Sequence, residues 1–575
     1  MKLIEALGII SKKPDGEPLT ISLVCGFTPL HLQTFLHAEL QLLFPDHPVE
    51  ITTGLYGDIA GTLRDARGRP LDAVALALEW EDLDARLGTR QLGGWHARNV
   101  ENILEASQLR LSMLERLLTD LSLTVPVVGS LPTLPLPPLF VTPGWQTSSA
   151  ELILRAQLSS FVSSLARQSR LRFVNEQRLH TASPFASRLS IKSDWAAGFP
   201  YSIPHASALA GFMARLIRNP LPKKGIITDL DNTLWNGIVG EVGVEEIHWD
   251  LDHHSQAHGL YQQFLQLLSE EGVLVAVASK NDPSVVAQAF QRDDLLLSEA
   301  SVFPFEVSWG SKSKAVSRIL ATWNIGPESV VFVDDSPLEL AEVQAQHPEI
   351  DCIQFRGDES VYELLSNLRD LFGKSTISPE DELRLESIRS NAAIGRAAED
   401  DEGFSEALLE QAEAELVFSV NQDAGDARAF ELINKTNQFN LNGKRYTEAA
   451  WQTYLGPDDR FLLTASYTDR FGALGKIAVI AGSKNGMILS IDSWVMSCRA
   501  FARRIEHQCL KFLFTRFNSL AIKFDYQQTP RNGPVKSFFE NSLKQTPTEK
   551  LEISRDSFAE VCPKLFHRVR EVNNE

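Results

Sequence analysis

Cysteine is scarce in this 575-residue chain: five cysteines are scattered along it, and none forms a Cys-x-x-Cys pair. Such usage argues against a disulfide framework or a zinc site and fits a reducing compartment. Long apolar runs are also missing, since none reaches the roughly 20 residues that a transmembrane helix needs. The amino terminus, MKLIEALGIISKKPDGEP, is too weakly apolar for a secretory signal. We therefore expect a cytoplasmic protein with no membrane partner.

Basic residues are outnumbered as well: 55 Lys and Arg stand against 74 Asp and Glu, a formal net charge of −19. This excess of negative charge disfavours nucleic acid as a partner. Apolar residues make up 43% of the chain and charged residues 22%, the composition of an ordinary globular protein with ample core. The length predicts three or four domains.

Two aspartates stand at the carboxyl end of a predicted strand in IITDLDNTLW, residues 226–235. Aspartate is depleted from strands, so Asp229 and Asp231 at this position indicate a functional site and not part of the apolar core. Their i, i+2 spacing would place both carboxylates on one side, where they could share one phosphoryl group and one hard cation. The alternative is a turn in which the carboxylates cap the next helix.

Three later segments favour the first interpretation. The apolar run GVLVAVASKND contains Ser279 at its end, where a hydroxyl could hold a phosphate oxygen. Lys312 lies in a predicted loop, WGSKSK, where it could neutralise a nucleophile and a phosphate together. A further predicted strand, residues 330–333, ends in Asp334 and Asp335, a pair suited to Mg²⁺ through oxygen ligands.

In order, these segments read strand-DxDxT, strand-Ser, Lys and strand-DD, an order that resembles the four-motif signature of the haloacid dehalogenase (HAD) superfamily. The resemblance implies that Asp229 forms an aspartyl-phosphate, and that Asp231 protonates the leaving group and then activates water. It implies that the phosphoryl group is bound by Thr233, Ser279, Lys280 and Lys312. It also implies that the cofactor Mg²⁺ is held by Asp229, by the backbone carbonyl of Asp231, and by Asp334 or Asp335.

Longer phrases resemble the FkbH-like branch of that superfamily, which is phosphatase-like (subfamily IIIC): LWNGIVGEVGVEEI, ASKND and WNIGPESVVFVDDSPLELAEV. That branch has no large cap, and the stretch between Leu234 and Tyr261 is too short here for an α/β cap domain. A large or protein-borne substrate could therefore reach the cleft. Many FkbH-like proteins have cysteine just before the serine of the second segment, where this chain has Ala278.

Residues 1–200 alternate predicted strands and helices, which indicates a doubly wound α/β domain. The family resemblance implies an SGNH-hydrolase-like domain of flavodoxin type. Where such a hydrolase has Gly-Asp-Ser after its first strand, this chain has Val24-Cys25-Gly26-Phe27-Thr28, and no Asp-x-x-His pair closes the domain. We expect a non-hydrolytic docking or positioning domain.

The last third of the chain has a different pattern. After a polar, acidic and helix-prone connector, long antiparallel strands are predicted in DRFLLTASYTDRFGALGKIAVIAG and MILSIDSWVMSC, followed by an amphipathic helix, RAFARRIEHQCLKFLFTRF. This order resembles the acetyltransferase-like GNAT fold. The expected fold class is multidomain α/β, comprising an SGNH-like domain (1–200), a Rossmann-like HAD core without a large cap (201–375), the helical connector (376–416) and a GNAT-like α+β domain (417–575).

In the GNAT fold, the turn from strand to helix binds the pyrophosphate of a coenzyme-type arm with amides at a helix amino terminus. Here that turn is residues 497–503, and Cys498 is a candidate acyl thiol, because a helix amino terminus beside an arginine lowers the pKa of a cysteine. The candidates for binding pantetheine or a carrier are Arg499, Arg503 and Asn532. The alternatives are an exposed basic helix face for the arginines and a buried packing role for the cysteine.

Histidines and two further aspartates are concentrated in IHWDLDHHSQAHG, residues 247–259, just after the first pair of aspartates. A metal site is one hypothesis for this stretch. The interpretation we favour is a flap or helix start that shapes the rim of the site, with one histidine meeting the substrate.

The resemblance implies an enzyme of polyketide or non-ribosomal peptide biosynthesis with two partners, a phosphorylated small molecule and an acyl carrier protein. It would dephosphorylate 1,3-bisphosphoglycerate or a similar C3 acid and load a glyceryl-type unit onto the phosphopantetheine thiol of the carrier. One alternative is a Mg²⁺-dependent phosphatase of a small metabolite or of a carrier-bound phosphate. Another is a non-catalytic scaffold of a biosynthetic complex. The oligomeric state stays open.

Overall fold

The computed structural model of the chain divides into two compact units. The first comprises Met1–Pro220 with Tyr446–Thr453, and the second comprises Leu221–Arg445 with Tyr454–Glu575. The residues that the structure describes are 1–12, 14–92, 94–138, 142–374, 377, 381, 383–389, 409–436, 438–470, 472–497, 500–501, 503–529, 531–548 and 551–572.

The first unit is built on a parallel sheet of five short apolar strands. These are β1 (Leu19–Cys25), β2 (Val49–Thr53), β3 (Ala73–Ala77), β4 (Val127–Ser130) and β5 (Leu171–Phe173). They pair in the order β2-β1-β3-β4-β5. Every residue of β3 is buried, as in a sheet covered by helices on both faces. The helices are α1 (Leu3–Ile10), α2 (Leu30–Leu43), α3 (Ile59–Ala66), α4 (Trp80–Leu83), α5 (Val100–Ser122), α6 (Ser149–Leu165), α7 (Glu176–Ala182), α8 (Ile191–Ala197) and α9 (Ile203–Arg218).

A second parallel sheet begins the second unit. Its strands are β6 (Gly225–Thr228), β7 (Leu274–Ser279), β8 (Val302–Val307), β9 (Val330–Asp334) and β10 (Asp351–Gln354), and they pair in the order β10-β9-β6-β7-β8. Alternate side chains enter different cores, since Ile226 and Val331 join one apolar cluster and Ile227 and Phe332 another. The helices here are α10 (Val239–Val242), α11 (Gln256–Glu270), α12 (Pro283–Ala289), α13 (Lys312–Trp323), α14 (Pro337–Gln346) and α15 (Val361–Phe372).

Only α10 and short turns lie between β6 and α11, where every residue is described, so no cap domain is inserted at this point. The three strands that carry predicted site residues, β9, β6 and β7, are neighbours at the centre of the sheet. Because these strands are parallel, their carboxyl ends meet at one edge.

The rest of the second unit forms a mixed sheet. Its strands are β11 (Glu415–Asn421), β12 (Phe439–Asn440), β13 (Arg460–Asp469), β14 (Gly472–Asn485), β15 (Ile488–Met496), β16 (Ala521–Phe524), β17 (Leu551–Ser554) and β18 (Arg568–Val572). They pair in the order β17-β16-β15-β14-β13-β11-β18, with β12 antiparallel to the end of β15. The helices are α16 (Ala427–Lys435), α17 (Glu448–Leu455), α18 (Ile505–Arg516), α19 (Gly533–Ser537) and α20 (Arg555–Val561); α17 begins among the residues of the first unit.

The prediction of a multidomain α/β chain is confirmed, with parallel Rossmann-like sheets and a mixed sheet. The SGNH-like and GNAT-like assignments and the four domain limits stay predictions. Much of the predicted connector, including all of residues 390–408, lies outside the described residues. The predicted helix from residue 499 begins only at Ile505, because Arg504 before it has a left-handed backbone with φ of 58°. Among the residues that the structure describes, no helix combines the length and apolar character needed to cross a bilayer.

Candidate active site

The carboxyl edge of the second parallel sheet gathers three aspartates. Asp229 follows β6 directly, and its backbone N–H donates to the carbonyl of Val333 on β9 at 3.0 Å. Asp334 is the last residue of β9, and Asp335 follows it. Carboxylate oxygens of the three aspartates all lie within 4.8 Å of one another. The order of the strands therefore brings together residues that lie far apart in the sequence.

Lys312 is the cation that lies among these carboxylates. It is the first residue of α13, and its Nζ lies 3.0 Å from Oδ1 of Asp229 and 2.6 Å from Oδ2 of Asp334. Its side chain is only 6% exposed, so the two ion pairs are shielded from water. One lysine against three carboxylates leaves the cluster with excess negative charge, which burial makes costly.

The pKa values of the cluster reflect that excess. Burial raises the pKa of Asp229 to about 6, with Lys312 lowering it and Asp334 raising it further. Burial also raises the pKa values of Asp334 and Asp335 above their usual range. Burial opposes the charge on Lys312, but the two carboxylates that contact it outweigh burial and raise its pKa. The lysine is therefore a fixed ammonium, and the carboxylates need a further cation to ionise together.

A magnesium ion fits this need. Carboxylate oxygens are the ligands that Mg²⁺ prefers, and the donor set of Asp229, Asp334 and Asp335 is all oxygen. The carboxylate of Asp231 is not part of this cluster of ligand atoms. The binding of Mg²⁺ by the backbone carbonyl of Asp231 stays a prediction.

Asp231 is held by three N–H groups. Its Oδ1 accepts from the indole of Trp235 at 2.9 Å and from the backbone of Val239 at 3.0 Å, and its Oδ2 accepts from Nδ2 of Asn281 at 2.9 Å. The same Asn281 amide donates to Oγ of Ser279 at 3.2 Å. Asn281 thus joins the general acid predicted from the sequence to the predicted phosphate-binding serine.

Trp235 and Asn281 are residues that the sequence analysis did not assign. Both stand inside phrases that carried the family resemblance, but tryptophan and asparagine gave no chemical signal of their own. Asn281 is 2% exposed and Trp235 is fully buried. A buried amide or indole N–H requires an acceptor, but the sequence does not show that these two residues are buried, so it held no such signal.

Thr233 and Lys280 are placed differently from one another. The Thr233 hydroxyl accepts a hydrogen bond from the backbone N–H of Asp335 at 3.0 Å, so it orients the third metal-binding candidate and still has a proton to donate. The ammonium of Lys280 binds Oε1 of Glu339 at 2.8 Å. A phosphate-binding role for each residue stays a prediction, and for Lys280 it would compete with this ion pair.

The histidine-rich stretch divides into an exposed and a buried part. The rings of His248 and His253 stack with centroids 3.6 Å apart, and His253 binds Asp250 at 2.8 Å. Potential ligand atoms of these three side chains also lie within 4.8 Å of one another. His258, by contrast, is buried, and its Nδ1 lies 3.1 Å from the carbonyl of Thr233. One histidine of the stretch thus contacts, from α11, the loop that follows β6.

The candidates in the mixed-sheet domain are only partly described. Cys498 and Arg499 lie outside the described residues. Arg503 is buried, 3.7 Å from Asp469 and stacked over the ring of Tyr467. Asn532 is buried too, and its Nδ2 donates to the carbonyls of Asn440 at 3.1 Å and Gln527 at 2.8 Å. Both residues make structural contacts, and their role in binding pantetheine or a carrier stays a prediction.

The first unit holds a buried polar network at the carboxyl edge of its sheet. Glu79 accepts hydrogen bonds from the hydroxyls of Thr133 at 2.6 Å and Tyr201 at 2.7 Å, and Thr133 lies 2.9 Å from Nε2 of His205. Burial raises the pKa of Glu79 to about 7 and lowers that of His205 to about 3. Burial also raises the pKa of Cys25, the last residue of β1, to about 12. A thiol in that state is a poor nucleophile.

Comparisons with known proteins support the fold of the site. No family model matches the chain, and no curated protein matches it either. A solved structure from Corynebacterium glutamicum, of an uncharacterized protein 13% identical, covers 26% of this chain and 98% of its own with a TM-score of 0.19, and it carries no argument. A second solved structure is the N-terminal part of the protein BF1531 from Bacteroides fragilis, containing a phosphatase domain complexed with Mg. It is 18% identical, covers 65% of this chain and 100% of its own, and has a TM-score of 0.53, so the two chains share a fold.

Proposed function

We propose that this protein is a Mg²⁺-dependent enzyme of HAD type that transfers a phosphoryl group to Asp229 and then to water. The observation that carries the proposal is the cluster of Asp229, Asp334 and Asp335 around the ammonium of Lys312. A nucleophile, a fixed cation and a set of oxygen ligands are the groups that phosphoryl transfer through an aspartate requires. The solved structure that shares the fold contains a phosphatase domain with Mg, which agrees with this chemistry.

In the first half-reaction, an oxygen of Asp229 attacks phosphorus while the bond from phosphorus to the leaving oxygen breaks. Lys312 holds the attacking carboxylate in place and offsets its charge as the anionic phosphate approaches. Asp231 in its protonated form donates a proton to the leaving oxygen. Trp235, Val239 and Asn281 fix the direction of that carboxyl group.

In the second half-reaction, water attacks the phosphorus of the phosphorylated Asp229. Asp231, now ionised, accepts a proton from that water, and the bond between phosphorus and the Asp229 oxygen breaks. Inorganic phosphate leaves and both aspartates return to their starting states. When bound to Asp229, Asp334 and Asp335, Mg²⁺ would supply positive charge that screens the repulsion between carboxylate and phosphate.

The substrate is a finer part of the proposal and rests on the FkbH-like resemblance. We propose 1,3-bisphosphoglycerate or a similar C3 acid that carries both a phosphate monoester and an acyl phosphate. Asp229 takes the phosphoryl group of the monoester. The phosphopantetheine thiol of an acyl carrier protein then attacks the acyl carbon and loses its proton to solvent, and the bond from that carbon to the second phosphate breaks, which leaves a glyceryl-type thioester. The absence of a cap between β6 and α11 supports a protein-borne acceptor, because it leaves the carboxyl edge open on that side.

The cysteines that the structure describes favour the thiol of the carrier as the acceptor. Burial raises the pKa of Cys25 to about 12 and that of Cys352 to about 11, and it also raises the pKa values of Cys509 and Cys562. None of these four is therefore poised as a thiolate at neutral pH. Cys498 is outside the described residues and remains the candidate for an acyl thiol on the enzyme.

Intact-mass analysis of holo acyl carrier proteins tests both levels of the proposal. The carriers are incubated with the enzyme, Mg²⁺ and freshly generated 1,3-bisphosphoglycerate, and phosphate release is measured in parallel. We expect a glyceryl mass gain and phosphate release, both abolished by Asp229→Asn and both retained by Asp370→Asn, a change at an exposed position on α15. Cys498→Ala shows whether that thiol relays the acyl group.

Other outcomes separate the alternatives. Phosphate release that depends on Asp229 with an unchanged carrier would support a phosphatase and remove the loading step. Equal phosphate release by the Asp229→Asn variant and the wild type, across acyl phosphates and phosphate monoesters, would refute catalysis at this site.

A further inference from the structure

A cavity of about 80 Å³ lies inside the second unit, away from the three aspartates. Lys224, just before β6, Leu274, at the start of β7, and Ser329, just before β9, form one wall, and Met496 at the end of β15 forms another. Asp229 stands at the other end of β6, roughly 16 Å away at about 3.3 Å per residue of strand. The cavity therefore opens at the amino edge of the sheet, opposite the candidate active site.

Helix α16 presents one carboxylate between two cations to this cavity. Glu431 lies 2.5 Å from Arg428 and also binds Lys435. Burial lowers the pKa of Lys435, Glu431 counteracts this effect, and repulsion from Arg384 and Arg428 adds to the lowering. This triad keeps an excess of one positive charge.

A second triad includes Arg384, which also lines the cavity. Asp381 lies 2.5 Å from Arg384 and 2.8 Å from Lys374, so again one carboxylate serves two cations. Arg384 is 9% exposed and lines the cavity. Of the charged side chains that line it, four are cations (Lys224, Arg384, Arg428 and Lys435) and two are carboxylates (Glu328 and Glu431). The walls thus carry two more positive than negative charges.

Two buried polar atoms of the walls have no hydrogen-bond partner among the described residues. These are Nε of Arg428, which is a donor, and Oε1 of Gln438. The amide of Gln438 can present either its oxygen or its NH₂ group, because the two ends have nearly the same shape. A bound group with several acceptor oxygens would satisfy both residues and balance the excess charge.

We propose that this cavity binds a small dianion of the phosphate class, held by Arg384, Arg428 and Lys435. One water needs about 10–15 Å³ of such volume, so the cavity has room for about five to eight waters, enough for a phosphate group but not for a nucleotide. The ligand is inorganic phosphate or the phosphate of a small monoester, since both present the same oxygens. This site is independent of the proposed phosphoryl transfer.

Calorimetric titration of the full chain with inorganic phosphate in EDTA tests the proposal. Without a divalent cation, the three aspartates of the active site repel phosphate, so only the cavity should bind it. We expect saturable binding of one equivalent, weakened at least tenfold by Gln438→Glu, which places a carboxylate in the cavity. Gln288→Glu, an exposed position on α12, adds the same charge and should leave binding unchanged.

Thermal unfolding shows whether Gln438→Glu loses phosphate binding because its site is filled or because its fold is damaged. Because the new carboxylate takes the place of the ligand, Gln438→Glu should melt at a higher temperature than the wild type in the absence of phosphate, and added phosphate should no longer raise its melting temperature. A lower melting temperature without phosphate, or an undiminished shift with phosphate, would overturn the proposal.

Two further titrations locate the bound ion and distinguish free phosphate from a phosphate monoester. Ser279→Ala, which removes a hydroxyl predicted to bind phosphate at the active site and changes no charge, should leave phosphate binding in EDTA intact; weakened binding in this variant would place the ion at the active site and refute the cavity. Glycerol 3-phosphate is titrated in parallel. Tighter binding than inorganic phosphate identifies a monoester as the ligand, and equal or weaker binding identifies free phosphate. Failure of both to bind would refute the site.

Discussion

Replacement of Lys312 by methionine should destabilise the region around β6 and β9 while it increases the stabilisation gained from Mg²⁺. The ammonium lies 3.0 Å from Asp229 and 2.6 Å from Asp334, and both partners have side chains that are at most 7% exposed. Removing one partner of a buried ion pair costs about 3–5 kcal/mol, because the other charges stay buried. We expect a loss of this size in local stability in EDTA.

Amide hydrogen exchange measured by mass spectrometry is the suitable assay, since unfolding of a multidomain chain does not give one free energy. Protection of β6 and β9 is compared in EDTA and in saturating Mg²⁺. The ion should restore more protection in the Lys312→Met chain than in the wild type, because the carboxylates have lost their own cation. Turnover should still fall by about 10²–10³, the usual effect of removing a group that stabilises transition-state charge.

Lys314→Met provides a matched control, because Lys314 lies two residues further along α13 and is exposed. This variant should keep the exchange pattern, the response to Mg²⁺ and the activity of the wild type. If Lys312→Met left β6 and β9 as protected as in the wild type in EDTA, or if Mg²⁺ protected it less, the electrostatic account of the cluster would be refuted.

Three other changes have defined outcomes. Asn281→Ala removes the amide that orients Asp231, so we expect turnover to fall about 10- to 100-fold with Mg²⁺ affinity unchanged, as measured by steady-state kinetics and calorimetry. Burial raises the pKa of Glu79 to about 7 from an ordinary 4.5, so the folded chain binds this proton more tightly than the unfolded chain does. Its contribution is therefore full below about pH 4.5 and is lost as pH rises through 7. The free energy of opening of β3 and β4, measured by amide hydrogen exchange and corrected for the intrinsic exchange rate, should fall by about 3 kcal/mol over this range, and the Glu79→Gln variant should lack this fall. Cys25, with its pKa raised to about 12, should resist iodoacetamide in the native chain, and Cys25→Ser should keep full phosphatase activity; peptide mapping and phosphate release check these outcomes.

Much of the candidate site could be predicted from sequence because its chemistry follows the strand pattern. A buried strand that runs directly into Asp229 and another that ends in Asp334 require parallel pairing to place both carboxylates at one edge. Lys312 was predicted from its place in a loop before a helix, and it is in fact the first residue of that helix. Local pattern was sufficient here because each residue lies at or next to the end of its own strand or helix, and parallel pairing then gathers those ends at one edge.

Other features depend on partners that no local pattern reveals. Lys280 was expected at the phosphate, yet its ammonium binds Glu339, which lies on α14. Glu79 and His205 belong to distant segments, and only the packed first unit joins them through Thr133. Long-range pairing of polar side chains is set by tertiary packing, so residue type and spacing along one segment carry little information about it.

Strand β12 has a consequence for any extended ligand of the mixed sheet. Beyond Ile491, where β16 no longer pairs with β15, Phe439 and Asn440 take its place beside Val495 and Met496. Next to them, the backbone N–H of Leu441 donates to the carbonyl of Trp494 at 2.9 Å. Residues 439–441 therefore occupy the edge of β15 beyond Ile491. A linear thioester arm could pair with this part of β15 as an added strand only after displacing them.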